Sequence, residues 1–337
     1  MPELFNKLLI LRTPGIGPVK YNTLIQKFGS VQSAAESLNI DNEFSDSVKR
    51  EMELAKSLGI EYICDNEPSY PELLREIKNH PPILCVRGNI QTLSKKSVAM
   101  VGTRHASAAG LSFMADLAND FASHGYAVVS GMAMGTDTAA HTGALRANGD
   151  LQTIAVLAGG ADYIWPLENE KLYNYIIERG AVISEMPVGS KPLANNFIQR
   201  NRLIAGISEK LILGEADLKS GSMTTADFAL GYGRVVHAIP SHPSDERAAG
   251  PNRLIKQGQA ILCQGRDDFF ASNPKNENKK PTQKNEGELL DKIGIIPVSE
   301  SVLTQLVKKS ISEIKCELIM LELGGKIKKT DLGYVKA

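Results

Sequence analysis

Cysteine is scarce in this 337-residue chain: Cys64, Cys85, Cys263 and Cys316 are widely scattered, and none forms a C-x-x-C pair. That spacing argues against a zinc site or a redox pair and fits a reducing compartment. No apolar run reaches the ~20 residues needed to span a bilayer. The opening MPELFNKLLILRTPGIG lacks a basic segment leading to a small-residue cleavage site. These absences predict a cytoplasmic protein with no membrane contact. Net charge is also missing, with 38 basic residues against 38 acidic ones. A whole-molecule positive field is therefore excluded, and any polyanion site must be a local patch. The six histidines are not grouped at metal-ligand spacing. No metal and no cofactor are expected.

Hydrophobic residues make up 42% of the chain, ample for a large core with small appendages. Residues 1–66 read as a small helical module, with Leu4, Leu8 and Leu11 at helical spacing before the breaker Thr13-Pro14-Gly15. No strand signal interrupts that stretch. Residues 67–270 read as a Rossmann-like α/β domain. Its short β-type runs at 98–101, 127–129, 153–157, 181–184, 211–213 and 235–239 alternate with helical segments. Such alternation predicts an extended parallel sheet covered on both faces. Residues 271–287 are almost devoid of apolar side chains and read as a flexible linker. Residues 288–337 return to helical periodicity and end in a hairpin-like GGKIKKTDLGYVKA, which suggests a miniature winged helix.

Four strand ends run into small or hydroxyl-bearing residues. They are Gly102-Thr103-Arg104, then Ser130-Gly131 with Gly135, then Ala158-Gly159-Gly160, and lastly Gly214 followed by Ser220-Gly221-Ser222 with Thr224. Glycine lets the backbone approach an anion, and the helix N-termini that follow offer N–H groups and partial positive charge. Any one loop fits strand termination and helix capping better; four in succession suggest a phosphate-accepting ledge. The P-loop pattern G-x-x-x-x-G-K-[ST] is absent, as is G-x-G-x-x-G after the first strand, which disfavours an ATPase or an NAD site.

The segment KPLANNFIQRNR, 191–202, places Lys191, Arg200 and Arg202 around Phe197 with no acid among them. A single strand needs such groups, because every linkage carries charge and every base a π-face worth ~1–3 kcal/mol of stacking. The competing reading puts Phe197 in the core and Arg200 on an ordinary surface. His141 and Asp137 could pair as a general base at i,i+4, but a capping Asp137 and a packing His141 fit the pattern better. No catalytic constellation is complete.

Residues 101–104 (VGTR), VVSGMAMGTDTAAHTGAL, NNFIQRNRLIAGIS and EADLKSGSMTTADFALGYGR together resemble the DNA-processing protein A (DprA/Smf) family over roughly residues 60–265. The stretch GIGPVKYNTLIQKFGS resembles a helix-hairpin-helix or SAM-like module, and the tail resembles a winged-helix domain. The resemblance implies a non-enzymatic protein that binds and protects incoming single-stranded DNA in natural transformation. It further implies loading of RecA and homodimerisation through the Rossmann-like domain. By matching position, Arg104 would bind a phosphate and Phe197 would stack on a base. Arg200 and Arg202 would line the same groove, Asn201 would fix the loop, and Ser220, Gly221, Ser222 and Thr224 would supply donors. Ile198-Gln199 and Leu193-Ala194 stand where many members carry basic residues, with Lys191 as the nearest substitute.

Two other functions compete with this one. A phosphoribohydrolase-type enzyme would use the helix start at 221–227, but only Asp227 is offered there and the P-G-G-x-G-T pattern is missing. A small-ligand sensor or interaction scaffold would use the tail to hold a partner.

Overall fold

The computed structural model describes residues 2–270, 289–294, 297–307 and 309–337; the expected linker at 271–287 lies outside the described residues. Four helices open the chain: α1 (Pro2–Arg12), α2 (Pro18–Phe28), α3 (Val31–Glu36) and α4 (Asn42–Ser57). Local chemistry sets their ends. Pro18 takes the first position of α2, where its missing N–H costs nothing. Gly29 closes that helix at φ 77°, its N–H donating to the Ile25 carbonyl. Asp41 caps α4 by accepting from the Phe44 N–H at 2.7 Å. Leu8 and Ile10 of α1 are fully buried in two separate small cores.

The helical reading overruns at its end. Ile60–Cys64 is a strand, β1, paired antiparallel with β2 (Ile83–Gly88). The remaining strands are β3 (Ser97–Val101), β4 (Ala127–Ser130), β5 (Thr153–Val156), β6 (Ala181–Ser184), β7 (Lys210–Leu213), β8 (Val235–Ala238) and β9 (Ile261–Leu262). All nine form one sheet in the order β1-β2-β6-β5-β4-β3-β7-β8-β9. The sheet is mostly parallel rather than wholly so, because β2 runs antiparallel to β6. Helices pack both faces: α5 (Glu72–Arg75), α6 (Ala108–Ser123), α7 (Thr136–Ala144), α8 (Glu170–Arg179), α9 (Ala194–Ile207), α10 (Gly221–Gly231), α11 (Ala249–Lys256) and α12 (Arg266–Phe270). Alternate residues of β3 feed two cores, Ala99 and Val101 on one face and Val98 and Met100 on the other. That is the burial expected of a strand covered on both sides.

The chain lays β4, β5 and β6 on one side of β3, then returns to lay β7, β8 and β9 on the other. Strand order therefore reverses between β3 and β7. Ligands of such sheets sit beyond the carboxyl ends of the strands near that reversal. Beyond the sheet come α13 (Glu300–Val307), α14 (Ile311–Leu323) and a hairpin, β10 (Ile327–Thr330) with β11 (Gly333–Lys336). This unit has its own core around Leu303, Leu318 and Tyr334, while Ile319 joins the core of the sheet domain with Met320 and Leu323 packed beside it. Among the described residues no helix is long and apolar enough to cross a membrane.

Candidate nucleic-acid interface

The loops at the strand ends are glycine-rich for close packing, and their donors are largely spent inside the protein. A Cβ at Gly102 would lie 2.5 Å from the Thr136 hydroxyl. The Thr103 N–H donates to the Glu215 carbonyl at 2.6 Å. The Glu215 carboxylate then takes the place an anion would occupy at the start of α6. It accepts from the Ser107 N–H at 2.7 Å and from the Ser107 hydroxyl at 2.5 Å. The next loop repeats the arrangement. Asp137 accepts from the Gly131 N–H at 3.1 Å and the Ala133 N–H at 3.3 Å. Ser130 is fully buried and donates to the Met100 carbonyl at 2.7 Å. Gly135 sits at φ 76°, and a Cβ there would collide with the Arg104 carbonyl oxygen. Gly102, Thr103, Ser130, Gly131 and Gly135 are thus a rigid seam, not an open phosphate ledge. Two helix N-termini are already neutralised by the chain's own carboxylates.

At α10, Ser220 is the N-cap and accepts from the Ser222 N–H at 3.3 Å. Ser222 and Thr224 are buried, which leaves Gly221 as the exposed residue of that turn. Thr224 is therefore removed from any surface contact.

The three polar residues 200–202 part company because successive helical side chains are turned by about 100°. Arg200 is 6% exposed, and one of its terminal nitrogens donates to the Gly131 carbonyl and, at 2.6 Å, to the Val156 carbonyl. Burial draws its pKa down to about 10, and the nearby Asp137 carboxylate opposes that fall. Burial also raises the Asp137 pKa, against the pull of Arg200 and the N–H donors. Arg200 thus ties β4 and β5 together beneath the site. Asn201 accepts from Arg200 Nε at 3.2 Å and donates to the Gly221 carbonyl at 3.1 Å, joining α9 to α10. Arg202 is 1% exposed, pairs with Glu185 and donates to the Asn79 carbonyl at 2.8 Å. The expectation that Arg200 and Arg202 line a groove beside Phe197 is corrected: one lies under it, and the other is locked on the far side of α9.

What remains at the surface is compact. Arg104 is exposed, with its guanidinium carbon 5.2 Å from the Trp165 ring centroid and 5.9 Å from that of Phe197. The two rings meet edge to face, with centroids 4.8 Å apart. Phe197 is half-buried, so neither the core reading nor a freely projecting ring describes it. A narrow crevice behind the pair is lined by Gly159, Tyr163, Pro192 and Arg200. Gly159 and Gly160 bring that loop against residues 187–192, with the Gly160 N–H donating to the Ser190 carbonyl at 2.9 Å. A Cβ at Gly159 would come within 2.8 Å of that same carbonyl oxygen. Lys191 is exposed on this segment and forms no ion pair among the described residues. Sequence reasoning missed Trp165, although the chain has one tryptophan and it follows the Gly159-Gly160 strand end by a few residues.

His141 is fully buried. Thr153 donates its hydroxyl proton to the Val128 carbonyl, so the 2.7 Å contact has the His141 Nδ1–H donating to Thr153. Burial, helped by Arg200, depresses the imidazole pKa to about 3.

The model of the DNA recombination-mediator protein A family matches residues 61–273, and that of the DprA-like N-terminal HHH domain matches residues 2–43. The DNA processing protein DprA of Bacillus subtilis is 35% identical over 237 residues, 70% of this chain and 79% of that protein. Protein Smf of Escherichia coli is 33% identical over 281 residues, 79% of this chain and 75% of that protein. Against protein Smf of Synechocystis, 37% identical over 206 residues, the match spans about half of the relative's length, 51%. Among solved structures, DNA processing protein A of Streptococcus pneumoniae superposes with a TM-score of 0.67 at 30% identity, covering 81% of this chain and 98% of that one. DNA processing protein A of Helicobacter pylori, described for its single-stranded DNA binding mode, gives 0.57 at 30% identity over 63% of this chain and 94% of that one.

Proposed function

The chain belongs to the DNA recombination-mediator protein A family, and from that premise we propose that it binds single-stranded DNA at the Arg104–Trp165–Phe197 cluster. The observation that carries this reading is a cation lying over two surface aromatic rings beyond the carboxyl ends of the strands. Such a cluster offers a base a π-face and a linkage a charge, with little sequence preference. Lys191 and the turn at Ser220 and Gly221 extend the contact to phosphates.

The biological role is protection of incoming single strands in natural transformation and their delivery to RecA, carried out in the cytoplasm by a homodimer joined through the Rossmann-like domain. The unit of α13, α14 and the β10–β11 hairpin acts as a winged-helix-like domain. The role is not catalytic. A neutral, buried His141 and an Asp137 committed to backbone donors argue against that pair serving as acid and base. Hydrolysis of a nucleotide is disfavoured for a related reason: Glu215 fills the helix N-terminus where its phosphate would sit. No free base should be released from nucleoside monophosphates.

Anisotropy titrations with single-stranded and duplex DNA across salt concentrations test the reading. Single strands should bind more tightly, and affinity should fall by about 0.7 logarithmic units per contacted phosphate for each tenfold rise in salt. Unchanged single-strand affinity in both Arg104→Ala and Phe197→Ala would sink the proposed site.

A further inference from the structure

Helix α9 has a second side. Phe197 and Arg200 face the crevice, whereas Gln199 and Arg202 line a long groove on the opposite flank. One wall of that groove is the turn at residues 14–20 of the N-terminal module, and the other is β10 of the C-terminal hairpin. The walls are held by packing. Met320 and Leu323 of α14 lie against the core of the sheet domain, and a Cβ at Gly17 would sit 3.8 Å from the Leu323 side chain.

Lys20, Lys328 and Lys329 are exposed on the two walls. The arginines in the groove are spent, Arg12 on Glu51 and Arg202 on Glu185. Among the described residues, Glu322 and the terminal carboxylate of Ala337 line the groove without an ion pair. Three exposed lysine heads against these two carboxylates leave the groove with an excess of positive charge in a chain with no net charge. It has no aromatic lining, so it offers charge without stacking. It also joins the first site directly. Lys329 Nζ donates to Asn195 Oδ1 at 3.4 Å, and Asn195 stands two residues before Phe197 on the first turn of α9. At a rise of ~1.5 Å per residue, the two positions are neighbours along the helix axis.

We propose that this groove carries the sugar-phosphate backbone of the same single strand after it leaves the aromatic cluster. The strand crosses the start of α9 at Asn195 and runs between Lys329 and Lys328 on one wall and Lys20 on the other. The inference rests on the single-strand reading of the Arg104 site. It assigns a division of labour: stacking on one side of α9, phosphate tracking on the other.

The test compares oligothymidylates of about 6 and about 30 nucleotides, one within and one well beyond the ~4–16 nucleotides typical of a single-strand groove. The full chain is used, as wild type, as Lys328→Glu/Lys329→Glu and separately as Lys20→Glu. All three lysines are exposed, and unchanged melting verifies the fold. The long strand should lose about tenfold or more in affinity in the double variant, with a salt slope shallower by about 0.7 per lost phosphate. Lys20→Glu should show a smaller loss of the same kind, and the short strand should bind all proteins alike. Unchanged long-strand affinity and slope would overturn the groove, as would a loss confined to duplex DNA. If Arg104→Ala and Phe197→Ala fail to weaken the short strand, the parent reading falls, and the lysine variants still decide the groove through the long strand alone.

Discussion

Glu215 binds Ser107 twice, through the backbone N–H at 2.7 Å and the hydroxyl at 2.5 Å, across 108 positions of sequence. The pair closes the point where strand order reverses, the position at which related sheets hold a nucleotide phosphate. Arg247 stands 3.9 Å from the same carboxylate. Glu215→Ala should therefore both weaken the fold and open an anion site. Loss of the helix-start contact should cost about 1–2 kcal/mol. Sulfate or phosphate, filling the vacated space, should raise the melting temperature of the variant more than that of the wild type. Equal responses in the two proteins would show that Glu215 holds no latent anion site.

Trp165 is the single tryptophan of the chain, and it packs against both Arg104 and Phe197. Its emission therefore reports on the proposed interface without a label. Single-stranded DNA should change that emission, with the same midpoint as an anisotropy titration. Trp165→Ala should weaken single-strand binding by about 1–3 kcal/mol, the scale of one stacked base. A saturating strand that leaves Trp165 emission untouched would place the bases elsewhere.

Arg104 and Arg202 make opposite predictions despite equal charge. Arg104 is exposed and forms no ion pair among the described residues, so Arg104→Ala should lower DNA affinity and leave stability within about 0.5 kcal/mol. Arg202 is 1% exposed and paired with Glu185, so Arg202→Ala strands a buried carboxylate. That loss should cost about 3–5 kcal/mol in denaturant unfolding. Affinity for a short strand confined to the Arg104 cluster, measured where the variant is still folded, should be unchanged, because Arg202 lies on the other flank of α9. The reverse pattern would return Arg202 to the binding surface.

The contrast between these arginines marks where the sequence was legible. Strands β3 to β8 could be read because a short, wholly apolar run set between helical segments suits a buried strand and little else. Strand β1 could not, since Ile60, Tyr62, Ile63 and Cys64 in so short a run fit a helix end as well as a strand. The basic character of 191–202 was plain, but its fate depended on rotation about α9, which sends Arg200 and Arg202 to different sides. Helical periodicity alone would have separated them. The glycine loops were located correctly, yet their donors are filled by Asp137 and Glu215, and those contacts are tertiary. Trp165 reaches Arg104 and Phe197 from a distant part of the chain, so no local pattern announces the cluster.

His141 gives a pH test with a definite sign. Its folded pKa is depressed from 6.5 to about 3 by burial and by Arg200, so folding holds the ring neutral where the unfolded chain would protonate it. The stability associated with that neutral ring is present above the unfolded pKa near 6.5 and is lost as pH falls toward about 3. Within that window unfolding takes up one proton at His141, which steepens the decline by about 1.4 kcal/mol per pH unit. His141→Asn should be less stable at neutral pH, because the smaller side chain leaves a gap in a fully buried site. Its unfolding free energy should nevertheless fall less steeply with acid than that of the wild type. Parallel pH profiles for the two proteins would mean that His141 is protonated in the folded state, and that the buried network around Arg200 is more open than its geometry implies.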